Sequence, residues 1–392
     1  MNDPKKLSFD NTEVAFRHRN ASELRKANWM FSVISHPWVV SAGSTLTHVA
    51  LSLRIPIGWA VKGNIFRHFC GGENINECLV AAEKLSRSGI GSILDYSVEG
   101  REGELDLDAT CEEIIRTIHA SAGKSHFPFC VFKVTGIMPF SILEKKSAGV
   151  LSDAENEVWL RGKGRVEKIC ECAAKSSQCI FIDAEDSWIQ PAIDELAEEM
   201  MLKFNASGAI VYNTIQLYRH DRFAFLKASH ERALAGNYVL GVKLVRGAYM
   251  EKERARASSM GYTDPIQPDK AASDRDYDAA SLYCLDHLDR IHFCAGTHNE
   301  QSSLLIAEQM IQRGIEPSDR RVSFAQLFGM SDHISFNLAA AGFRVCKYMP
   351  YGPLRDVMPY LIRRARENTS VKGQAGRELS LIRAELKRRR KG

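Results

Sequence analysis

Two hydrophobic rhythms divide the chain. Over the first ~85 residues the apolar positions recur at helical spacing, with breaks at His36-Pro37, Ile55-Pro56 and Cys70-Gly71-Gly72. Beyond that, short apolar, β-branched runs alternate with longer amphipathic ones. The runs are GSILDYS (91–97), PFCVFKV (128–134), QCIFIDA (178–184), GAIVYNT (208–214), VLGVKLV (239–245), IHFCAGT (291–297), RVSFAQL (321–327) and FRVCKYM (343–349). Stretches of helical periodicity such as IDELAEEMMLKFN and YDAASLYCLDHL follow them. Such alternation is the mark of βα units around a parallel sheet. Eight units over roughly 280 residues suit a (βα)8 barrel, typically about 250 residues. The expectation is therefore an α/β chain: an N-terminal helical region (1–85), a (βα)8 TIM barrel (86–370) and a basic helical tail (371–392). A doubly wound sheet is the alternative.

Composition adds few constraints. Among 392 residues, 45% are hydrophobic and 26% charged, which fits a globular chain and argues against extensive disorder. Lys and Arg total 52 against 48 Asp and Glu, too even a balance to point to nucleic acid. The ten cysteines are scattered, with Cys170 and Cys172 the one close pair. They read as reduced and mostly buried, with no metal site implied. No apolar signal core begins the chain, so a cytoplasmic or matrix-like compartment is expected. Met30 to Leu53 lacks Asp, Glu, Lys and Arg, but His36, Pro37, Ser41, Ser44, Thr45, Thr47 and His48 interrupt it. A buried or interfacial helix pair suits it better than a membrane span. The terminal ELKRRRKG reads as a solvated helix end, and its charge would also suit peripheral contact with anionic lipid.

Gly89-Ile90-Gly91 precedes a strand instead of following one and lacks a third glycine, so it is not a dinucleotide fingerprint. Neither GxxxxGK[ST] nor HExxH occurs. In a barrel the chemistry gathers at the C-terminal ends of the strands. The polar residues there are Lys133, Asp183, Gln216, Lys243 with Arg246, Thr297 with His298, and Tyr348. With three cations against Asp183, the mouth should favour an anionic ligand. Asp183 could equally cap the next helix, and His298 could be a structural hydrogen-bonder. After the last run, a helix from about Leu354 to Asn368 carries Arg363 and Arg364, with Glu367 four and three residues on. A surface helix with charge pairs explains them; so does bidentate capture of a carboxylate.

Taken together, VFKVTG, FIDAE, YNTIQLYR, KLVRGAYMEKERARA, GTHN, QLFGM and YMPYGPLRDVMPYLIRRARENTS resemble the proline dehydrogenases, in the family's order and over roughly Gly91 to Ser370. The resemblance implies a distorted barrel with FAD at its mouth, L-proline oxidised to 1-pyrroline-5-carboxylate by hydride transfer to flavin N5, and electrons passed to a quinone. A location in the cytoplasm, or peripheral on an inner membrane (mitochondrial in a eukaryote), goes with that activity. It also implies that Lys133, Arg363 and Arg364 hold the substrate carboxylate. Tyr348, Leu244 and Leu327 would pack on its ring, with Asp183 and Lys243 at the reaction centre. Ala184, Gln216, Val245, Arg246, Gly247, Ala248, Thr297, His298 and Glu367 would contact FAD. Two alternatives stand beside this reading: a 4-hydroxyproline dehydrogenase, and a flavin-free lyase or aldolase forming a Schiff base on Lys133 or Lys243.

Overall fold

The computed structural model describes residues 7–34, 65–97, 102–370 and 374–391, except for the side chains of 34, 365–370 and 374–375. The breaks expected at His36-Pro37 and Ile55-Pro56, and nearly all of the 30–53 helix pair, lie outside the described residues.

Each apolar run becomes a parallel strand: β1 Ile90–Tyr96, β2 Phe129–Phe132, β3 Cys179–Ile182, β4 Val211–Gln216, β5 Leu240–Val245, β6 Ile291–Gly296, β7 Val322–Leu327 and β8 Val345–Tyr351. The sheet closes in chain order. All seven residues of β1 pair with β8, from Ile90 with Val345 to Tyr96 with Tyr351. Closure leaves no sheet edge, and a doubly wound sheet is excluded.

Side chains alternate across each strand. One set fills the interior: Ile93, Phe129, Val131, Phe181, Tyr212, Cys294, Ala325 and Cys346. Phe129 and Phe181 stack at 4.4 Å, with Tyr212 edge-on to both. The other set, including Leu94, Phe132, Ile182, Ile215, Val242, Phe293 and Phe324, joins the helical layer in the main core.

The helices that matter to the site are α1 Thr12–Phe16, α2 Ala21–Ile34, α3 Gln190–Phe204, α4 Arg222–Ala235, α5 Met250–Met260, α6 Lys270–Asp286, α7 Glu300–Gln312, α8 Asp332–Ala340, α9 Leu354–Ser370 and α10 Gln374–Lys391. Their starts follow local chemistry. Asn299 begins α7 because its side chain accepts from the Ser302 N–H at 3.1 Å, filling an otherwise orphaned donor. Asp269 does the same for α6.

A second core joins the chain's two ends. Leu24, Met30 and Phe31 of α2, Val357, Tyr360 and Leu361 of α9 and Leu379 and Ile382 of α10 bury together with Met330, just past β7. Most of the basic tail is exposed, as expected of a solvated helix end, but Arg389 is half-buried. Arg388 and Arg389 both bind Glu385, and Arg389 also donates to the carbonyls of Phe16 and Arg19 at 2.8 and 2.7 Å. Among the described residues no helix is long and apolar enough to cross a membrane.

Candidate active site

Asp183 directly follows β3, two residues after the inward Phe181, and so points into the mouth. Lys243 occupies an inward position of β5. Its ammonium binds Asp183 Oδ1 and lies 5.0 Å from the ring centres of both Phe181 and Tyr348. The Tyr348 hydroxyl donates to Asp183 Oδ2 at 2.5 Å. Burial first, then the Asp183 charge, pushes the Tyr348 phenol well above its ordinary range, so it acts as a donor at any working pH. The buried Asp183 and Lys243 and the partly buried Tyr348 thus satisfy one another, as buried charges must. The same parity places Asp95 inward near the end of β1, where it accepts from the Ser97 hydroxyl at 2.6 Å. Sequence reasoning missed Asp95, although counting by two from Ile93 reaches it.

Leu244 departs from expectation. It follows the inward Lys243 and therefore faces the helical layer, fully buried in the outer core with its strand neighbours Ile215 and Ala295. It does not share the interior with Lys243. Leu327, by contrast, has the parity of the inward Ala325, pairs with Tyr348 across β7 and β8, and packs partly buried against the second core.

Lys133 ends β2 and enters a 3-10 turn, Val134–Gly136, where it is half-buried. Ala184, also half-buried, sits beside Asp183. Gln216 and Val245 occupy inward positions at the ends of β4 and β5. The Gln216 side-chain amide oxygen, Oε1, is buried and has no partner among the described residues, which is rare for such a group. At Gly247 φ is +147°, and a Cβ there would meet the Tyr218 ring at 2.4 Å. Only glycine fits. It leaves the Gly247-Ala248 backbone exposed.

Arg246 is turned towards α6 and α7. Its guanidinium donates to Asp274 at 2.7 Å, to the Thr297 hydroxyl at 2.8 Å and to the Ser302 hydroxyl at 2.9 Å, over the Tyr277 ring. Two of the three cations counted at the mouth, Lys243 and Arg246, are thus each bound to a carboxylate. That lowers the positive field expected from sequence.

His298 is held between Ser331 Oγ, 2.8 Å from Nδ1, and the Leu327 N–H, which donates to Nε2 at 3.5 Å. Ser331 is itself left-handed, at φ 52°, and its N–H donates to the buried Glu378 of α10 at 3.0 Å. The C-terminal helix therefore reaches the mouth. Burial, then the charges of Lys347 and Arg364, lower the His298 pKa to about 3. Leu327, packed against the second core with Val357, Tyr360 and Leu361, brings α9 close by. On α9, Arg364 is 8% exposed and lies 5.2 Å from the Tyr360 ring centre, while Arg363 is half-buried. The side chain of Glu367 lies outside the described residues.

His68 behaves as His298 does. It contacts the Gly329 carbonyl at 2.8 Å, and burial, then Arg19, lower its pKa to about 3. An unfolded chain would protonate both rings near pH 6.5. Between pH 6.5 and about 3 the unfolded state binds the extra protons, so acid favours it. At pH 5 each ring should remove about 2 kcal/mol of stability. Denaturant melts from pH 7.5 to 5 should show the midpoint dropping below pH 6.5; a flat profile would contradict the buried neutral assignment.

A family model described as proline dehydrogenase matches residues 78–377. Proline dehydrogenase 1, mitochondrial, of Arabidopsis thaliana is 34% identical over 90% of this chain and 79% of its own length. A hydroxyproline dehydrogenase of Xenopus laevis is 32% identical over 98% of this chain and 90% of its own. Carbapenem antibiotics biosynthesis protein CarD of Pectobacterium carotovorum is 36% identical, covering 82% and 83%. Among solved structures, proline utilization A of Bdellovibrio bacteriovorus superposes with a TM-score of 0.71 at 21% identity, over 81% of this chain. This chain spans about a third (34%) of that protein, a likeness of fold. With the family model matched across the whole barrel and relatives above 30% identity over most of their lengths, the chain is an oxidoreductase of the proline dehydrogenase family.

Proposed function

We propose that this enzyme oxidises L-proline to 1-pyrroline-5-carboxylate with FAD at the C-terminal mouth of the barrel. The observation that carries the reading is the convergence of an apolar wall, Tyr348 beside Leu327, with the helix bearing Arg363 and Arg364. An amino acid with a small apolar ring needs both: a flat wall for the ring and a fork of donors for the carboxylate. Lys133 supplies the third cation. Asp183, bound by both Lys243 and Tyr348, is a firm anchor. The cationic surroundings favour the neutral amine, the form that can give up hydride.

The donor set fits FAD. The unpartnered Gln216 oxygen can accept from a flavin N–H, and the exposed Gly247-Ala248 backbone lets a ligand approach closely. Val245, Thr297, His298, Ala184, Arg246 and Glu367 would complete the contacts. FAD, when bound, would supply the hydride acceptor and hand electrons on to a quinone. A lipid-dissolved quinone would bring the enzyme to a membrane surface as a peripheral protein.

The Xenopus relative favours a second reading, 4-hydroxyproline as substrate. Tyr348 argues for proline, because its ring is fixed by the bond to Asp183 and leaves little room for a further hydroxyl. A Schiff base on Lys243 is disfavoured: its Nζ is already engaged by Asp183, whereas such chemistry needs an amine free to attack a carbonyl. The test is an absorption spectrum of the pure protein. A flavin spectrum bleached by anaerobic proline, and more slowly by 4-hydroxyproline, is expected. A colourless, FAD-free protein would refute the proposal.

A further inference from the structure

Glu185, two residues past Asp183, is 6% exposed and no sequence argument gave it a role. Its Oε1 accepts from the Thr135 N–H at 3.0 Å and its Oε2 from the Thr135 hydroxyl at 2.5 Å. Thr135 stands two residues after Lys133, in a turn closed by the Gly136 N–H donating to the Lys133 carbonyl at 3.1 Å. One carboxylate thus fastens the turn that follows Lys133 to the loop that follows Asp183.

The fastening is anchored on its other side. The Glu185 N–H donates to Gln190 Oε1 at 2.9 Å, and Gln190 Nε2 donates to Asp194 at 3.0 Å, both on α3. Arg222 of α4 grips Asp194 at 2.8 and 2.9 Å, and Asn213 of β4 donates to it at 2.9 Å. Next along the loop, Ser187 donates its N–H at 2.7 Å and its hydroxyl at 2.5 Å to Glu253, fully buried in α5. The Asp183 loop is therefore stitched to the β2 turn by one carboxylate and to the helix after β5 by another. A buried hydrogen-bonded network of this kind favours one geometry.

We propose that Glu185 is a positioning residue that sets the place of Lys133 relative to Asp183, and through it the affinity for the substrate carboxylate. The inference rests on the reading of Lys133 as a carboxylate ligand. Lys133 has a flexible four-carbon stem, so its reach is defined only if its backbone is held. Removing Glu185 strands two buried Thr135 donors and frees the turn. A shift of about 1 Å in a binding group can lose on the order of 100-fold.

Steady-state kinetics on the FAD-loaded enzyme test this. Glu185→Ala should raise the proline KM about 10- to 100-fold, with kcat at saturating proline and flavin content little changed. Glu185→Gln should recover most of the loss, since an amide can accept from the N–H while its NH2 donates to the Thr135 oxygen. Thr135→Val, a milder change that keeps the fold if Glu185→Ala does not, should raise KM several-fold. Combining Glu185→Ala (or Thr135→Val) with Lys133→Met should add nothing to Lys133→Met alone, because residues acting through one another are not additive. Additive effects, or an unchanged KM in the Glu185 and Thr135 variants while Lys133→Met raises it, would overturn the positioning role. An unchanged KM in Lys133→Met would instead refute the carboxylate reading, and the inference with it.

Discussion

Asp183→Ala is expected to destabilise the protein by about 3–5 kcal/mol and to lower kcat/KM for proline by about 100-fold or more. The first number follows from what remains behind. Lys243, 5% exposed, would be left buried with its Asp183 partner gone. Tyr348 would lose the acceptor its hydroxyl meets at 2.5 Å. An orphaned buried charge is far costlier than a pair removed whole. The double variant Asp183→Leu with Lys243→Met should therefore regain much of the stability, since apolar groups of similar volume often replace a buried pair without loss. It should not regain activity, because the wall formed by Tyr348 would still lack its anchor. Denaturant melts and kinetics on the single and double variants separate the two effects. Equal instability in both would show that the ion pair is not the source.

How far the sequence reached can be judged strand by strand. The barrel was legible because each apolar run is short, β-branched and followed by a helical pattern, and chain order alone then sets the neighbours. Strand ends were less sharp. PFCVFKV shortens to Phe129–Phe132 because Lys133 already starts a turn, and QCIFIDA shortens to Cys179–Ile182 because Asp183 leaves the ladder. Those departures are where the chemistry stands. Parity was also legible and places Leu244 outward and Asp95 inward, the reverse of what resemblance alone suggests for Leu244.

Long-range pairing left no such trace. Arg246 reaches Asp274 and Ser302, 28 and 56 residues away, so a residue that looked like a free cation at the mouth is half of an ion pair. Arg389 reaches the Phe16 carbonyl 373 residues away, and a tail that is otherwise solvated is docked through this one residue. Glu185 was hidden for the same reason: its partner lies 50 residues earlier, and neither residue belongs to a periodic pattern. Hydrophobic periodicity reports which face is buried, not which polar groups meet once it is.

The second large effect concerns α9. Val357, Tyr360, Leu361 and Arg364 recur at three- and four-residue spacing and so share one face, and the first three are buried in the second core. Arg364 thus lies on the buried face of the helix, 8% exposed and over the Tyr360 ring. A surface charge pair would not be expected on that face. Arg363, one residue back, is half-buried. Each charge-assisted hydrogen bond to a carboxylate is worth about 1.5–3 kcal/mol, or roughly 10- to 150-fold in affinity. Arg364→Met and Arg363→Met should each raise the proline KM by factors of that order, with FAD still bound. Arg364→Lys should recover only part, because a point charge lacks the planar fork. If the carboxylate is held equally in ground and transition states, kcat at saturating proline stays near its original value while KM rises. A KM unchanged in both methionine variants would remove the carboxylate role from α9 and leave its arginines as packing alone.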